Sequence, residues 1–368
     1  MPTIKETVLE INLSHLEHNY KYLKALIKPE TKFLGVVKAF AYGSDAQRVA
    51  QKLEELGVDY FAVAYIKEGV SLRKAGIKTP ILVLHPQTEN FEALIDYNLE
   101  PSLYSFKVLK AFLEKVKGQK SLNYPIHLKF NTGLNRLGFT PSDVEEIIEL
   151  IGNSTTVIVK SLLSHLAATE DKNETQFTKN QIKTFESIIT AFDAKYAPKT
   201  LKHILNTSGI LNYADAQFDM VRSGIGLYGF GNEVKFDQAL KPVASLKTII
   251  SQLHTVSPGE SVGYNRAYKA KEIQVTATLP LGHADGIGRH FGNGAGYVTI
   301  HGQKAKIVGN VCMDMIMVDV TNIDCKEGDE VTVFGEIHTA EMLATTTNTI
   351  SYELLTGISQ RVKRSFIG

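Results

Sequence analysis

The feature that most constrains this chain is a repeat: from residue 33 onward, a short apolar run, a polar turn and an amphipathic helical stretch recur. The runs fall at 33–38, 60–65, 80–85, 101–104, 125–130, 157–163, 201–205 and 220–222, about eight in all. Runs of that length suit strands buried on both faces, and helices between them impose parallel crossovers. Eight such units close a parallel barrel. An open doubly wound sheet is the rival, but no Gly-x-Gly-x-x-Gly follows the first strand. Ser14 with Glu17 fits a capping box for a helix whose apolar face carries Leu16, Tyr20, Leu23 and Ile27. Further helices are expected at 45–56, at 106–116 and from Thr140, which caps, with Pro141 at the first helical position.

After Gly229 the texture changes. Val275, Ala277 and Leu279 alternate with polar residues, and the turns Ser257-Pro258-Gly259, His301-Gly302 and Glu327-Gly328-Asp329 punctuate β-rich runs. Strands are expected at 297–300, 306–311, 316–320 and 330–334, with short helices at 340–343 and 352–358 closing the chain. The fold expected is α/β: an N-terminal (β/α)8 barrel over 1–235, then a mainly β domain over 236–368, with the strand at 8–12 a candidate to join it.

The length of 368 residues suits about two domains. Forty Lys+Arg against 39 Asp+Glu leave a net charge of +1, which offers no basic footprint for nucleic acid or an anionic membrane. The first six residues lack the apolar core of a signal peptide and no apolar run spans a bilayer, so a cytoplasmic location is expected. Cys312 and Cys325 read as free thiols, and no metal is expected.

In a parallel barrel the chemistry sits at the C-terminal ends of the strands. The residues there are Lys38 and Tyr42, His85, Lys129, Asn131 and Arg136, His165, Asn206, Thr207 and Ser208, and Arg222, Gly224 and Ile225. Each alone has an ordinary explanation: Lys38 reaches solvent just past its strand, His165 fills a core, Arg136 makes a surface ion pair, and Asn206 to Ser208 cap a helix. As a set they form an anion site beside a lysine nucleophile. A lysine forms a Schiff base with a carbonyl, so Lys38 either condenses with a sugar carbonyl, as in a barrel aldolase, or holds pyridoxal phosphate.

The stretch Val36-Val37-Lys38-Ala39-Phe40-Ala41-Tyr42-Gly43 resembles the pyridoxal-phosphate motif of alanine racemases. The resemblance continues through Glu68-Gly69 with Leu72-Arg73, 80–84, Lys129-Phe130-Asn131-Thr132-Gly133 with Arg136-Leu137-Gly138, and 218–225. In the second half it runs through Val262-Gly263-Tyr264, Ala284-Asp285-Gly286, Val311-Cys312-Met313-Asp314 and Ile350-Ser351-Tyr352-Glu353. It implies a barrel plus a β domain, and a homodimer that interconverts L- and D-alanine by two opposed bases, supplying D-alanine for peptidoglycan. Lys38 would hold pyridoxal phosphate and act as one base, and Tyr264 of the other subunit as the second. Because a phenol's unperturbed pKa is about 10, Tyr264 needs help, and His165 and Arg136 match its support.

Arg222 matches the contact to the pyridine nitrogen, which it would leave unprotonated. Tyr42, Thr207, Gly224, Ile225 and Tyr352 match the phosphate positions, with Asn206 and Ser208 beside them. Arg136 and the partner's Met313 and Asp314 would receive the substrate carboxylate, and Lys129 matches a lysine carbamylated in some relatives. Glu170, His283, Arg289 and Ile350 match an entrance gate, with His283 where a tyrosine is usual and Glu170 where an aspartate is common. Phe40 replaces a common asparagine, Asn131 an aspartate, Gly263 a serine, and Ser44-Asp45 the usual His-Gly. Alternatives are a broader-specificity amino-acid racemase, a decarboxylase on the same barrel, and a non-catalytic pyridoxal-phosphate carrier. Arg222 in place of an acidic partner speaks against the decarboxylase, and the Tyr264 domain against the carrier.

Overall fold

The computed structural model describes residues 4–117, 123–152 and 156–368. Residues 1–3, where the stretch without a signal-peptide core begins, lie outside the described residues. After strand β1 (Val8–Asn12) come eight parallel strands: β2 (Lys32–Val36), β3 (Tyr60–Val63), β4 (Ile81–Val83), β5 (Glu100–Leu103), β6 (Tyr124–Lys129), β7 (Val157–Leu163), β8 (Leu201–His203) and β9 (Met220–Ser223). They are ordered β8-β7-β6-β5-β4-β3-β2-β9. Between the two ends of that order, Asp219 N–H donates to Lys202 O and Arg222 N–H to Leu205 O, both at 3.1 Å, so the barrel is nearly closed. Every residue of β3 is buried, which is why the runs are continuously apolar rather than alternating.

The helices outside the barrel follow their apolar stripes. Ala46–Glu55 buries Val49, Ala50 and Leu53, and Asp45 caps it by accepting from Arg48 N–H at 2.9 Å. Phe106–Lys117 buries Val108, Leu109, Phe112, Leu113 and Val116. One cap differs from expectation, whereas Thr140 caps as expected with Pro141 behind it, the Thr140 N–H donating to Asp143 Oδ2 at 2.7 Å. The first helix starts at Leu13 and its cap is Asn12, whose Oδ1 accepts from His15 N–H at 3.1 Å. Glu17 does not reach back to Ser14; it pairs with Lys21 and Lys52 at 2.6 Å each. Pro141–Asp143 is a single 3-10 turn, and the α-helix begins at Val144.

The second sheet comprises β10 (Ala244–Ile249), β11 (Gln252–Val256), β14 (Gln274–Leu279), β15 (Tyr297–Ile300), β16 (Gln303–Val308), β17 (Ile316–Asp319), β18 (Glu330–Phe334) and β19 (Lys363–Ile367), with β1 included. A two-stranded ribbon, β12 (Ser261–Val262) and β13 (Tyr268–Lys269), stands apart from it. In the large sheet β1 lies between β10, antiparallel, and β19, parallel. Strand β16 begins at Gln303, earlier than 306, because Ile300 pairs directly with Gln303 across the two-residue turn His301-Gly302, both left-handed at φ +49° and +79°. The chain does not close on a helix. It closes on β19, whose Lys363 and Arg364 give the charged pattern of an edge strand rather than an apolar run.

Candidate active site

Strand β2 stops at Val36, and the turn beyond it delivers Lys38. Ala39, Phe40, Ala41 and Tyr42 have φ between +52° and +55°, one complete left-handed turn closed by Ala41 N–H to Val37 O at 3.0 Å and Gly43 N–H to Ala39 O at 2.8 Å. For L-residues that conformation costs about 1–2 kcal/mol each, so the surroundings must enforce it. Glu68 does so: Oε1 accepts from Ala39 N–H at 2.6 Å, while Oε2 accepts from Ala64 N–H at 2.7 Å and Tyr65 N–H at 3.0 Å. The turn is thereby pinned to the end of β3. On its other side Gly43 has no room for a side chain, since a Cβ there would lie 2.0 Å from Leu355 O. The helix Ser351–Gly357 of the second domain therefore packs directly against the lysine turn.

Lys38 opens into a pocket of about 660 Å³ at the C-terminal ends of the strands. Four cationic side chains line it, Lys38, Lys129, Arg136 and Arg222, and no carboxylate is among the lining residues. The repulsion is visible in the proton affinities of the two lysines and of His165. Burial and then Arg136 lower the pKa of Lys38, which the Glu68 charge partly offsets. Burial, Arg136, Arg222 and Lys38 bring Lys129 down to about 8. His165 is held well below its ordinary value by burial and then by the field of Arg222, Arg136, Lys129 and Lys38, so its imidazole is neutral.

Arg222, only 5% exposed, is held by its two terminal nitrogens. Nη1 donates to His203 Nδ1 at 2.7 Å and His203 O at 3.2 Å; Nη2 donates to Ser164 O at 2.7 Å, Ile204 O at 3.1 Å and His165 Nδ1 at 3.2 Å. None of these bonds engages Nε–H. Burial brings the guanidinium down to about 10, which leaves it charged at neutral pH.

The opposite end of the pocket is built of hydroxyls. Tyr42 stacks on Tyr228 with centroids 4.5 Å apart and lies 6.0 Å from the Tyr352 ring. A Cβ on Gly224 would meet Tyr42 Oη at 2.2 Å, so glycine there lets the phenol approach the backbone. Thr207 Oγ1 and Ser223 Oγ are 3.0 Å apart, and Asn232 Nδ2 donates to Ser208 Oγ at 3.0 Å and Tyr352 Oη at 3.2 Å. Asn206 caps Thr207–Asn212 by accepting from Gly209 N–H at 2.8 Å.

The fold thus gathers Lys38, Tyr42, Arg136, His165, Asn206, Thr207, Arg222, Gly224, Ile225 and Tyr352 around one pocket. Arg136 rides on a loop organised by Asn131, whose Oδ1 accepts from Gly133 N–H at 3.1 Å and Asn135 N–H at 2.9 Å. Tyr264, Met313 and Asp314 are elsewhere, on the second domain around a separate depression of about 490 Å³. Tyr264 is 73% exposed and Met313 59%. Arg361 ties that loop down, donating to Asp314 Oδ1 at 2.6 Å and to both oxygens of Asp285 at 2.7 and 3.0 Å. Glu170, His283, Arg289 and Ile350 are exposed and do not line the barrel pocket of their own chain. Both cysteines are free. The clamp by Glu68 and the anchoring of Arg222 by His203 escaped sequence reasoning. For His203 the signal was its place at the end of a barrel strand; for Glu68 it was the Glu68-Gly69 motif of the resemblance, which carried no role.

The chain matches the family described as alanine racemase, N-terminal domain, over residues 11–231, and alanine racemase, C-terminal domain, over residues 243–366. It is 36% identical over 374 residues to alanine racemase 2 of Caldanaerobacter subterraneus subsp. tengcongensis, covering 99% of this chain and 95% of that one. Among solved structures, an alanine racemase of Clostridium difficile 630 superposes with a TM-score of 0.93 at 36% identity, covering 100% of this chain and 97% of that one. An alanine racemase from Bartonella henselae with covalently bound pyridoxal phosphate superposes with a TM-score of 0.89 at 30% identity, over 99% of this chain and 100% of that one. With both halves matched in order and relatives similar along their whole length, this chain belongs to the alanine racemase family.

Proposed function

We propose that this chain interconverts L-alanine and D-alanine, with pyridoxal phosphate held in the barrel-end pocket. The observation that carries the reading is four cations converging on one pocket whose lining has no carboxylate, which suits a ligand bearing a phosphate and a substrate bearing a carboxylate. The residues present fit the cofactor. The hydroxyls of Tyr42, Thr207, Ser208 and Tyr352 and the backbone at Gly224 and Ile225 would hold its phosphate, Lys38 its aldehyde carbon, and the unengaged Nε–H of Arg222 its ring nitrogen. When bound, pyridoxal phosphate supplies an electron sink that acidifies the α-proton of the amino acid.

The protein's own part is to handle protons and orient charge. Lys38, with its pKa lowered, is a base on one face. Racemisation needs a second base on the face opposite Lys38. Tyr264 would fill that role from a second copy, bringing Met313 and Asp314 with it, because their exposed, largely apolar cluster is left without a partner in a single chain. His165, accepting from Arg222 through Nδ1, has Nε2–H left to donate to that phenol, and Arg136 would receive the substrate carboxylate. Glu170, His283, Arg289 and Ile350 would border the entrance of the assembled homodimer.

We place the division between barrel and β domain near residues 235 and 236, between the two family matches. No helix among the described residues is long and apolar enough to cross a membrane. The reading puts the enzyme in the cytoplasm, supplying D-alanine for peptidoglycan. Titrating the protein with pyridoxal phosphate and following solvent exchange of the α-proton over a panel of amino acids tests it. Alanine should exchange fastest, and Lys38→Ala should lose both the cofactor absorbance and the exchange. Serine or lysine turning over as fast as alanine would replace the substrate assignment, and an unaffected Lys38→Ala would end the lysine assignment.

A further inference from the structure

Behind Arg222 a line of buried polar side chains crosses the barrel interior, one per strand. His203 Nε2 lies 2.9 Å from Ser161 Oγ; Ser161 Oγ lies 2.6 Å from His127 Nδ1; His127 Nε2 lies 2.6 Å from Glu100 Oε2. His203, Ser161 and His127 are fully buried, and the Glu100 side chain is 13% exposed. The strands supply them in order, β9, β8, β7, β6 and β5. Nothing in the proposed reaction uses Glu100, His127 or Ser161.

With both imidazoles neutral, the two ends set one direction for the whole line. A guanidinium has donors and no acceptor, so His203 Nδ1 must present a lone pair to Arg222 Nη1. In a neutral ring the hydrogen is then on Nε2 and is donated to Ser161 Oγ. Burial and the Arg222 charge hold His203 well below its ordinary value, in keeping with that neutral ring. Ser161 has one hydrogen, which goes to His127 Nδ1, and His127 Nε2–H goes to Glu100. As a carboxylate Glu100 is acceptor-only, so the far end demands the same orientation as the near end. Tyr60 adds its hydroxyl to Glu100, and Arg73 contributes a favourable charge nearby. Bonds arranged head to tail polarise one another, so a negative charge at Glu100 strengthens His203 Nδ1 as an acceptor.

We infer that Glu100, His127 and Ser161 are positioning residues: with His203 they form a one-way hydrogen-bond line that holds the Arg222 guanidinium in place for the ring nitrogen of the bound cofactor. The line itself is an assignment of protons to named atoms, whereas its catalytic consequence rests on the proposed racemase function.

Neutron diffraction from crystals of the full-length deuterated protein with pyridoxal phosphate reads the proton positions directly. Deuterium is expected on His203 Nε2 and His127 Nε2, with the Ser161 deuteron aimed at His127 Nδ1. Deuterium on Nδ1 of either ring overturns the inference. Kinetics test the consequence. Glu100→Gln, which keeps shape and removes charge, should lower kcat about tenfold with the alanine KM within about twofold. In a Ser161→Ala background the same change should have no further effect, because the line is already cut. Unchanged kcat in Glu100→Gln, or fully additive losses in the double variant, overturns the positioning role. Should Ser161→Ala fail to fold, Glu100→Gln and the diffraction result still decide. Deuterons in the stated places with no turnover of alanine would count against the proposed function and leave the hydrogen-bond line standing.

Discussion

Arg222 Nη1 donates to His203 Nδ1 at 2.7 Å, a buried contact to a guanidinium that stays charged at neutral pH. Arginine surrenders a proton reluctantly, so in the proposed racemase a ring nitrogen facing Arg222 would stay unprotonated and the electron sink weak. A weak sink would favour return of the proton to the α-carbon over its transfer elsewhere. Arg222→Glu is expected to lower racemisation by about 10²–10³ and to raise pyruvate formed per turnover. Coupled assay of pyruvate checks this, and no rise would remove the account of Arg222.

His165 and His203 give a pH dependence of stability whose sign follows from the direction of their shifts. Both folded-state values lie well below the ordinary 6.5. The contribution is therefore complete above pH 6.5 and is lost as the pH falls, because the unfolded chain takes up protons that the folded chain refuses. Two such rings give a slope approaching about 2.7 kcal/mol per pH unit below pH 6. His338 is shifted the same way, whereas the lowered carboxylates Glu17 and Glu54 act only at more acid pH. Urea unfolding of the cofactor-free protein between pH 5 and pH 8 measures the slope; a flat profile would contradict the buried neutral rings.

Phe40 is 58% exposed and sits at φ +55°, a conformation in which asparagine is far more at home than phenylalanine. Phe40→Asn is expected to stabilise the fold by about 0.5–1 kcal/mol. Gly43→Ala, three residues on, is expected to destabilise it by more than about 3 kcal/mol, because its Cβ would collide with Leu355 O at 2.0 Å. Denaturation midpoints of the two variants check both directions. A destabilised Phe40→Asn would mean that the aromatic ring is covered in the functional assembly.

The sequence by itself determined the architecture of this protein. The eight apolar runs are all strands of the barrel, since a strand buried on both faces must be apolar throughout and this is a property of composition along the chain. It also named the residues of the pocket, because the strand-end rule of parallel barrels converts position in the repeat into position in space. What only the tertiary structure decided are contacts between elements distant in sequence. The left-handed turn at Lys38 exists because Glu68 and Leu355 constrain it from two sides, and no local propensity of Ala-Phe-Ala-Tyr favours it. The edge strand Lys363–Ile367 exists because β1 offers it a free edge to pair with. The line from Glu100 to Arg222 depends on barrel closure, which sets one side chain of each strand beside the next; strand register, invisible in a single strand's sequence, is the physical cause.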